Sequence, residues 1–305
     1  MLDLSKVTHL HIELSTHCNA RCPQCPRNFN GWNHPIMPAN NPKHFDLTKL
    51  AELAKQFKNC EILFNGNHGD PMMHPDVVEC ASLFDNVSIG TNGSIGTLNS
   101  YMQLAQQGVE MIFSIDGLED TNHIYRQDVI WRNIISRAEM FINSGGHATW
   151  KFIIFRHNVN QLLEVRKLAN KMGFRRFELV SAGRDYGPIM NDKGEIINWL
   201  LSADDKREAE EYDIDFNLKI QTDPVERFPK PNFSDRSITC ETLKNKSIYF
   251  NVDGEVLPCC YHGVHQHIHP IGTTLQEQMD SFKFLENGWE TPKCDETCYE
   301  SCGGK

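Results

Sequence analysis

His9-Leu-His-Ile-Glu13-Leu-Ser-Thr-His-Cys18-Asn-Ala-Arg-Cys22-Pro-Gln-Cys25 is the stretch from which the rest of the chain is read. A β-rich run, His9–Leu14, passes directly into three cysteines separated by three and then two residues, with no fourth cysteine nearby. Structural zinc sites close four ligands around one ion, usually as paired two-residue knuckles. Three thiolates on one loop suit instead a [4Fe–4S] cluster in which one iron lacks a protein ligand. An open iron can bind substrate or cofactor, so the spacing points to chemistry rather than to a structural staple. The alternative is a zinc loop completed by His17.

Working outward, β-rich runs recur at Glu61–Asn65, Val87–Thr91, Glu110–Ile115, Trp150–Phe155 and Phe177–Ser181. Apolar residues at helical spacing lie between them. Leu50, Leu53, Ala54 and Phe57 follow a cap at Asp46. Ile130, Ile134, Ala138 and Phe141 form a second stripe. Leu162, Val165, Leu168 and Met172 form a third, closed by Gly173. Six strands alternating with helices predict an α/β fold with a parallel sheet and right-handed crossovers; periodicity alone does not separate an open sheet from a partial barrel. After Ser181 the pattern dissolves, and residues 184–238 read as a polar connecting segment with one helix and a short strand near Leu218–Gln221. Ser247–Val252 and Glu255–Leu257 then flank Asp253-Gly254, which predicts a hairpin with a type I′ turn.

The 305 residues carry 30 basic and 40 acidic side chains, a net charge of −10. A negative surface repels phosphate backbones and disfavours a broad nucleic-acid footprint. No apolar run reaches the length of a membrane span, and the start MLDLSKVTHLHIEL is not a signal peptide, so the expected location is cytoplasmic. Eleven cysteines, an odd number in a chain without a secretion signal, argue for thiolate–metal sites over a disulfide framework. Six of them (Cys240, Cys259, Cys260, Cys294, Cys298, Cys302) crowd the C-terminal end, and residues 81–239 contain none.

Cys18-x3-Cys22-x2-Cys25 after a strand resembles the radical S-adenosylmethionine (SAM) superfamily. The resemblance implies a partial (β/α)6 TIM-like barrel with its chemistry at the C-terminal ends of the strands, and a [4Fe–4S] cluster on these cysteines whose open iron is chelated by SAM. Gln24 departs from the aromatic residue common at that position. Gly66-Asn-His-Gly69-Asp70-Pro71 resembles the family's Gly-Gly-Glu-Pro loop, with His68 in place of a glycine and Asp70 in place of glutamate; Gly69 and Asp70 are thereby expected at the SAM ammonium. Thr91-Asn92-Gly93 ends the third strand and Ser114-Ile-Asp116-Gly117 the fourth. The resemblance adds Asn92, Ser114 and Arg126 to the expected cofactor-binding residues, with Ser114 and Arg126 at the SAM carboxylate; for Arg126 alone, a surface salt bridge is the other reading.

Cys240, Gly254 and Cys259 are spaced as at the opening of the SPASM/twitch extension of radical SAM enzymes. That implies a small C-terminal hairpin-containing module with one auxiliary [4Fe–4S] cluster, held by Cys240, Cys259, Cys294 and Cys298, with Cys302 competing for the last place; zinc is the alternative. The expected domains are residues 1–183, 184–238 and 239–305. Cys260 reads as a spare thiol or, in the sharper reading, a catalytic hydrogen-atom donor, while Cys60 and Cys80 read as buried small hydrophobes. His262, His265, His267 and His269 fit an exposed loop. The expected function is a radical SAM oxidoreductase or maturase acting on a peptide or small molecule, supplied with electrons by a flavodoxin- or ferredoxin-type reductant, with no membrane or nucleic-acid partner. An epimerase using a cysteine thiol is the first alternative, and a non-catalytic iron–sulfur or zinc protein the second.

Overall fold

A computed structural model describes residues 3–25, 27, 43–180, 244–260, 263 and 270–282, together with the backbone of 181, 186–190 and 196–201. Six strands run in chain order through one parallel sheet: β1 (His9–Ile12), β2 (Glu61–Phe64), β3 (Asn86–Thr91), β4 (Glu110–Ser114), β5 (His147–Ile154) and β6 (Arg176–Ser181). Along each strand one alternate set is buried against the helices. Leu10, Ile12, Ile62, Phe64, Ile89, Met111, Phe113, Trp150 and Phe152 all belong to it. The other set stays half-buried or exposed and is largely polar, including His9, His11, Ser88, Glu110, Ser114, Lys151 and Glu178. The alternation follows from the two-residue period of a strand with one face on a helical layer.

The covering helices are α1 (Leu47–Phe57), α2 (Val77–Ser82), α3 (Leu98–Gln106), α4 (Asn122–Tyr125), α5 (Trp131–Asn143) and α6 (Leu162–Met172). α1 starts where expected, Asp46 accepting the Lys49 amide at 2.9 Å, and buries Leu50, Leu53, Ala54 and Phe57. α5 buries Ile134, Ala138 and Phe141, with Phe141 edge-on to Phe113 of the sheet. Ile130 is not part of that stripe: it is the N-cap residue of α5 and 60% exposed, because the helix begins one residue later. The expected sheet is therefore present as a partial, unclosed (β/α)6 TIM-like barrel.

Two findings extend it. The segment after β6, read from sequence as irregular, contains an antiparallel hairpin of β7 (Tyr186–Met190) and β8 (Ile196–Leu201). The apolar run Ile196-Ile-Asn-Trp-Leu-Leu after Asn191-Asp-Lys-Gly was the signal for it. The C-terminal hairpin, β9 (Ser247–Phe250) and β10 (Val256–Leu257), joins the main sheet. β9 pairs in parallel with β1, His11 opposite Tyr249, and the final order is β10-β9-β1-β2-β3-β4-β5-β6. Its turn is not type I′: Gly254 has φ +81°, but Asp253 does not enter the positive-φ region. The Asn251 side chain instead accepts the amides of Asp253 and Glu255, closing a wider loop in which only Gly254 needs left-handed backbone. The edge at β10 is short, and its Val256 amide donates to Gln278 of α7 (Leu275–Asp280), which shields it. Among the described residues no helix is long and apolar enough to cross a membrane.

Candidate functional site

The cysteine loop leaves the C-terminal end of β1 and is fixed mainly by backbone contacts. The Asp70 amide donates to the His17 carbonyl at 2.7 Å, the Arg21 amide to Gln127 at 3.0 Å, and the Cys25 amide to Cys22 at 3.0 Å. Arg27 caps the Cys18 carbonyl at 2.7 Å. Loop 66–69 presses close against it. A Cβ on Gly69 would stand 2.0 Å from the Ser15 carbonyl oxygen, and one on Gly66 would stand 2.1 Å from that of Gly69, so both must be glycine.

Cys22 is buried, and Cys18 and Cys25 are half-buried. Asn92 aims its amide at the Cys18 sulfur at 3.7 Å, and Arg126 aims a guanidinium N–H at Cys22 at 3.8 Å. Burial pushes the Cys18 thiol up to about 12, helped by the charges of Asp70 and Cys22. Burial likewise pushes Cys22 up to about 11, with Arg126 pulling the other way. Metal binding here must therefore displace protons, as it does wherever thiols become ligands.

His17, the fourth ligand of the zinc alternative, is engaged with another ring. Its ring stacks on His44, with centroids 4.4 Å apart and an interplanar angle of 5°. Among the described residues no group of three or more His, Cys, Asp or Glu side chains is placed to hold a single ion. Three thiols on one loop suit a cluster, in which each sulfur binds a different iron. Sulfurs met by N–H donors, one of them cationic, suit the negative charge of such a cluster.

The expected cofactor residues gather on this side of the sheet. Asn92 also donates to Asn19 at 2.9 Å. Ser114 ends β4, opposite Lys151 in register. Asp70 lies beside the loop, but its carboxylate is already engaged, accepting the Met72 amide at 3.0 Å, the Thr91 hydroxyl at 2.9 Å and the Asn92 amide at 2.8 Å. It fastens loop 66–70 to the end of β3.

Arg126 is not a surface salt bridge. Its Nε donates to Asp116 at 2.6 Å, with side-chain exposures of 15% and 0%. Burial works against the guanidinium charge, but Asp116 outweighs it and holds Arg126 above its ordinary value. Asp116 also accepts the Ile153 amide at 2.7 Å, and Asn158 holds the Asp116 carbonyl at 2.9 Å. The sequence reading passed over Asp116, although an acid between an apolar strand and a glycine was the available signal.

Cys259 and Cys260 are half-buried, and the Cys260 carbonyl accepts the Asn67 amide at 2.7 Å. Cys240, Cys294, Cys298, Cys302 and the histidines at 262, 265, 267 and 269 lie outside the described residues. Cys80 is fully buried, as expected; Cys60 is half-buried, its thiol on the Val7 carbonyl at 3.4 Å.

The fold is an α/β partial barrel similar to that of solved radical SAM enzymes. Streptococcus suis SuiB bound to S-adenosylmethionine matches with a TM-score of 0.60 at 16% identity, over 97% of this chain and 71% of that one. Native anSMEcpe with bound AdoMet matches with a TM-score of 0.63 at 17% identity, over 95% and 83%. In sequence, a tungsten-containing aldehyde ferredoxin oxidoreductase cofactor-modifying protein of Pyrococcus furiosus is 25% identical over 122 residues, 38% of this chain and only 33% of that protein. No family model matches the chain.

Proposed function

We propose that the chain is a radical SAM enzyme that modifies a peptide. The observation that carries this is the loop of Cys18, Cys22 and Cys25 at the strand ends, with Asn92 and Arg126 directing N–H groups at two of the sulfurs. When bound, the reduced [4Fe–4S] cluster and SAM supply a 5′-deoxyadenosyl radical that takes hydrogen from an unactivated C–H bond. The three cysteines hold the iron, and Asn92 and Arg126 offset the negative charge at the sulfurs. Gly66 and Gly69 let backbone approach where a side chain would exclude it. Asp70 keeps that backbone in place, and Ser114 stands at the same end of the sheet.

A peptide is favoured because structures of SuiB with the precursor peptide SuiA and of anSMEcpe with the peptide Cp18Cys share this fold. A flavodoxin- or ferredoxin-type protein is the proposed reductant. An auxiliary [4Fe–4S] cluster on Cys240, Cys259, Cys294 and either Cys298 or Cys302 would accept the substrate's electron and make the net reaction an oxidation. The domain division at 183 and 238 belongs to the same reading.

The test is anaerobic: with dithionite and SAM, reconstituted protein should form 5′-deoxyadenosine. Replacing Cys18, Cys22 and Cys25 with Ala should abolish that and remove about four irons from a total of about eight. Wild-type protein that makes no deoxyadenosine sinks the proposal.

One observation favours a second reading, epimerisation with Cys260 as hydrogen-atom donor. Asn67 joins the Cys260 carbonyl while its own carbonyl lies 3.9 Å from the Cys25 sulfur, which brings the Cys260 segment beside the cysteine loop. Oxidation gives a product two hydrogens lighter and tolerates Cys260→Ala; epimerisation gives a product of unchanged mass in H2O that takes up deuterium from D2O and requires Cys260.

A further inference from the structure

Loop 66–69 cannot anchor itself. Asp70 fastens one end of the loop to β3, but two of its four residues are glycines with no side chain to pack, so the rest is held through Asn67 and His68. Those grips come from Glu13, itself held by Tyr249, and from the Cys260 segment near the C-terminal end of the described chain. Tyr249 of β9 is fully buried and donates its hydroxyl to Glu13 at 2.5 Å. The other oxygen of Glu13, itself 1% exposed, accepts the His68 amide at 2.6 Å. The His68 ring meets the Gly263 carbonyl at 3.3 Å, and the Asn67 side chain meets that of Cys260 at 2.7 Å. None of these groups is among the cysteines that hold iron, yet together they set the loop against Ser15, His17 and Cys25.

We propose that Tyr249, acting through Glu13, and Asn67 are positioning residues for SAM, so that strand β9 and the Cys260 segment determine how tightly the cofactor binds at a loop nearly two hundred residues earlier in the chain. This rests on the SAM-binding reading above. Because binding linkage is reciprocal, SAM in turn tightens the docking of the Cys260 segment by the same factor.

Anaerobically reconstituted full-length protein, as wild type, Tyr249→Phe and Asn67→Ala, would be titrated with SAM by equilibrium dialysis, with iron counted and thermal unfolding followed alongside. Each variant should keep the wild-type iron content and bind SAM roughly five- to tenfold more weakly, the equivalent of one net hydrogen bond. In Tyr249→Phe the His68 amide should also exchange faster with solvent. Wild-type SAM affinity in both variants overturns the proposal, as does a loss of affinity that only follows a loss of iron. If Tyr249→Phe does not fold, the half-buried Asn67→Ala decides alone. A wild type that fails to bind SAM brings down the enzyme reading and this proposal together, whereas a wild type that binds it beside indifferent variants brings down this proposal only.

Discussion

Asp116 and Glu13 both sit behind the cysteine loop, at the ends of β4 and β1, and both are all but inaccessible to water. They are satisfied in opposite ways. Asp116 has a full cationic partner in Arg126. Among the described residues Glu13 has neutral donors, the Tyr249 hydroxyl and the His68 amide. A buried carboxylate can thus be held by charge or by dipoles, and the two arrangements fail differently when cut. Removing a charged partner strands an ion, whereas removing a hydroxyl leaves one lone pair unfilled.

The largest effect should come from Arg126→Leu, which leaves Asp116 buried and unpaired. About 3–5 kcal/mol of stability should be lost in urea denaturation of the iron-free protein. Adding Asp116→Asn should recover part of it; no recovery would mean that Arg126 matters for its packing and not its charge. Tyr249→Phe should be milder, about 1–3 kcal/mol, the desolvation cost of one orphaned acceptor. A loss as large as that of Arg126→Leu would show that the Glu13 network is as demanding as an ion pair and would erase the contrast.

The smallest effect concerns pH on the Glu13 side. His11, edge-on to Tyr249 at 5.0 Å, has its imidazole lowered to about 4 by desolvation, with the Asn65 carbonyl pulling the other way. A folded-state value below the ordinary one means that the unfolded chain takes up the proton first. The stability His11 contributes is therefore complete above its ordinary value near 6.5 and is lost as pH falls toward about 4. His11→Gln should flatten that limb by one proton's worth of slope, part of the remainder belonging to His157, which burial lowers in the same way. An unchanged limb would mean that His11 is protonated in the fold.

These two regions also show what the sequence could reveal. β1 to β6 were legible within about three residues at each end because a strand lying on helices must alternate, and the loop cysteines because their spacing carries the chemistry. The β9–β1 pairing was not legible. Its register links residues far apart in sequence, and Ser247–Phe250 reads equally well as half of an isolated hairpin. Glu13 and Asp116 looked like ordinary strand-end acids, since burial of a carboxylate becomes visible only once its donors are assembled from distant segments. Asp70 was legible as a member of its loop, but not as a clamp whose oxygens are already taken by Met72, Thr91 and Asn92.

The insertion of β1 between β2 and β9 sets a timetable for synthesis. When residues 9–12 and 61–64 have left the ribosome, one margin of β1 is closed by β2, but the other must wait until residue 250 emerges. Throughout that interval the nascent chain presents an open row of amides and carbonyls along the strand that leads into the cysteine loop, the kind of margin that recruits a second chain. A chain released before residue 247 should accordingly aggregate while the full-length chain made under the same conditions does not, a difference that sedimentation would show.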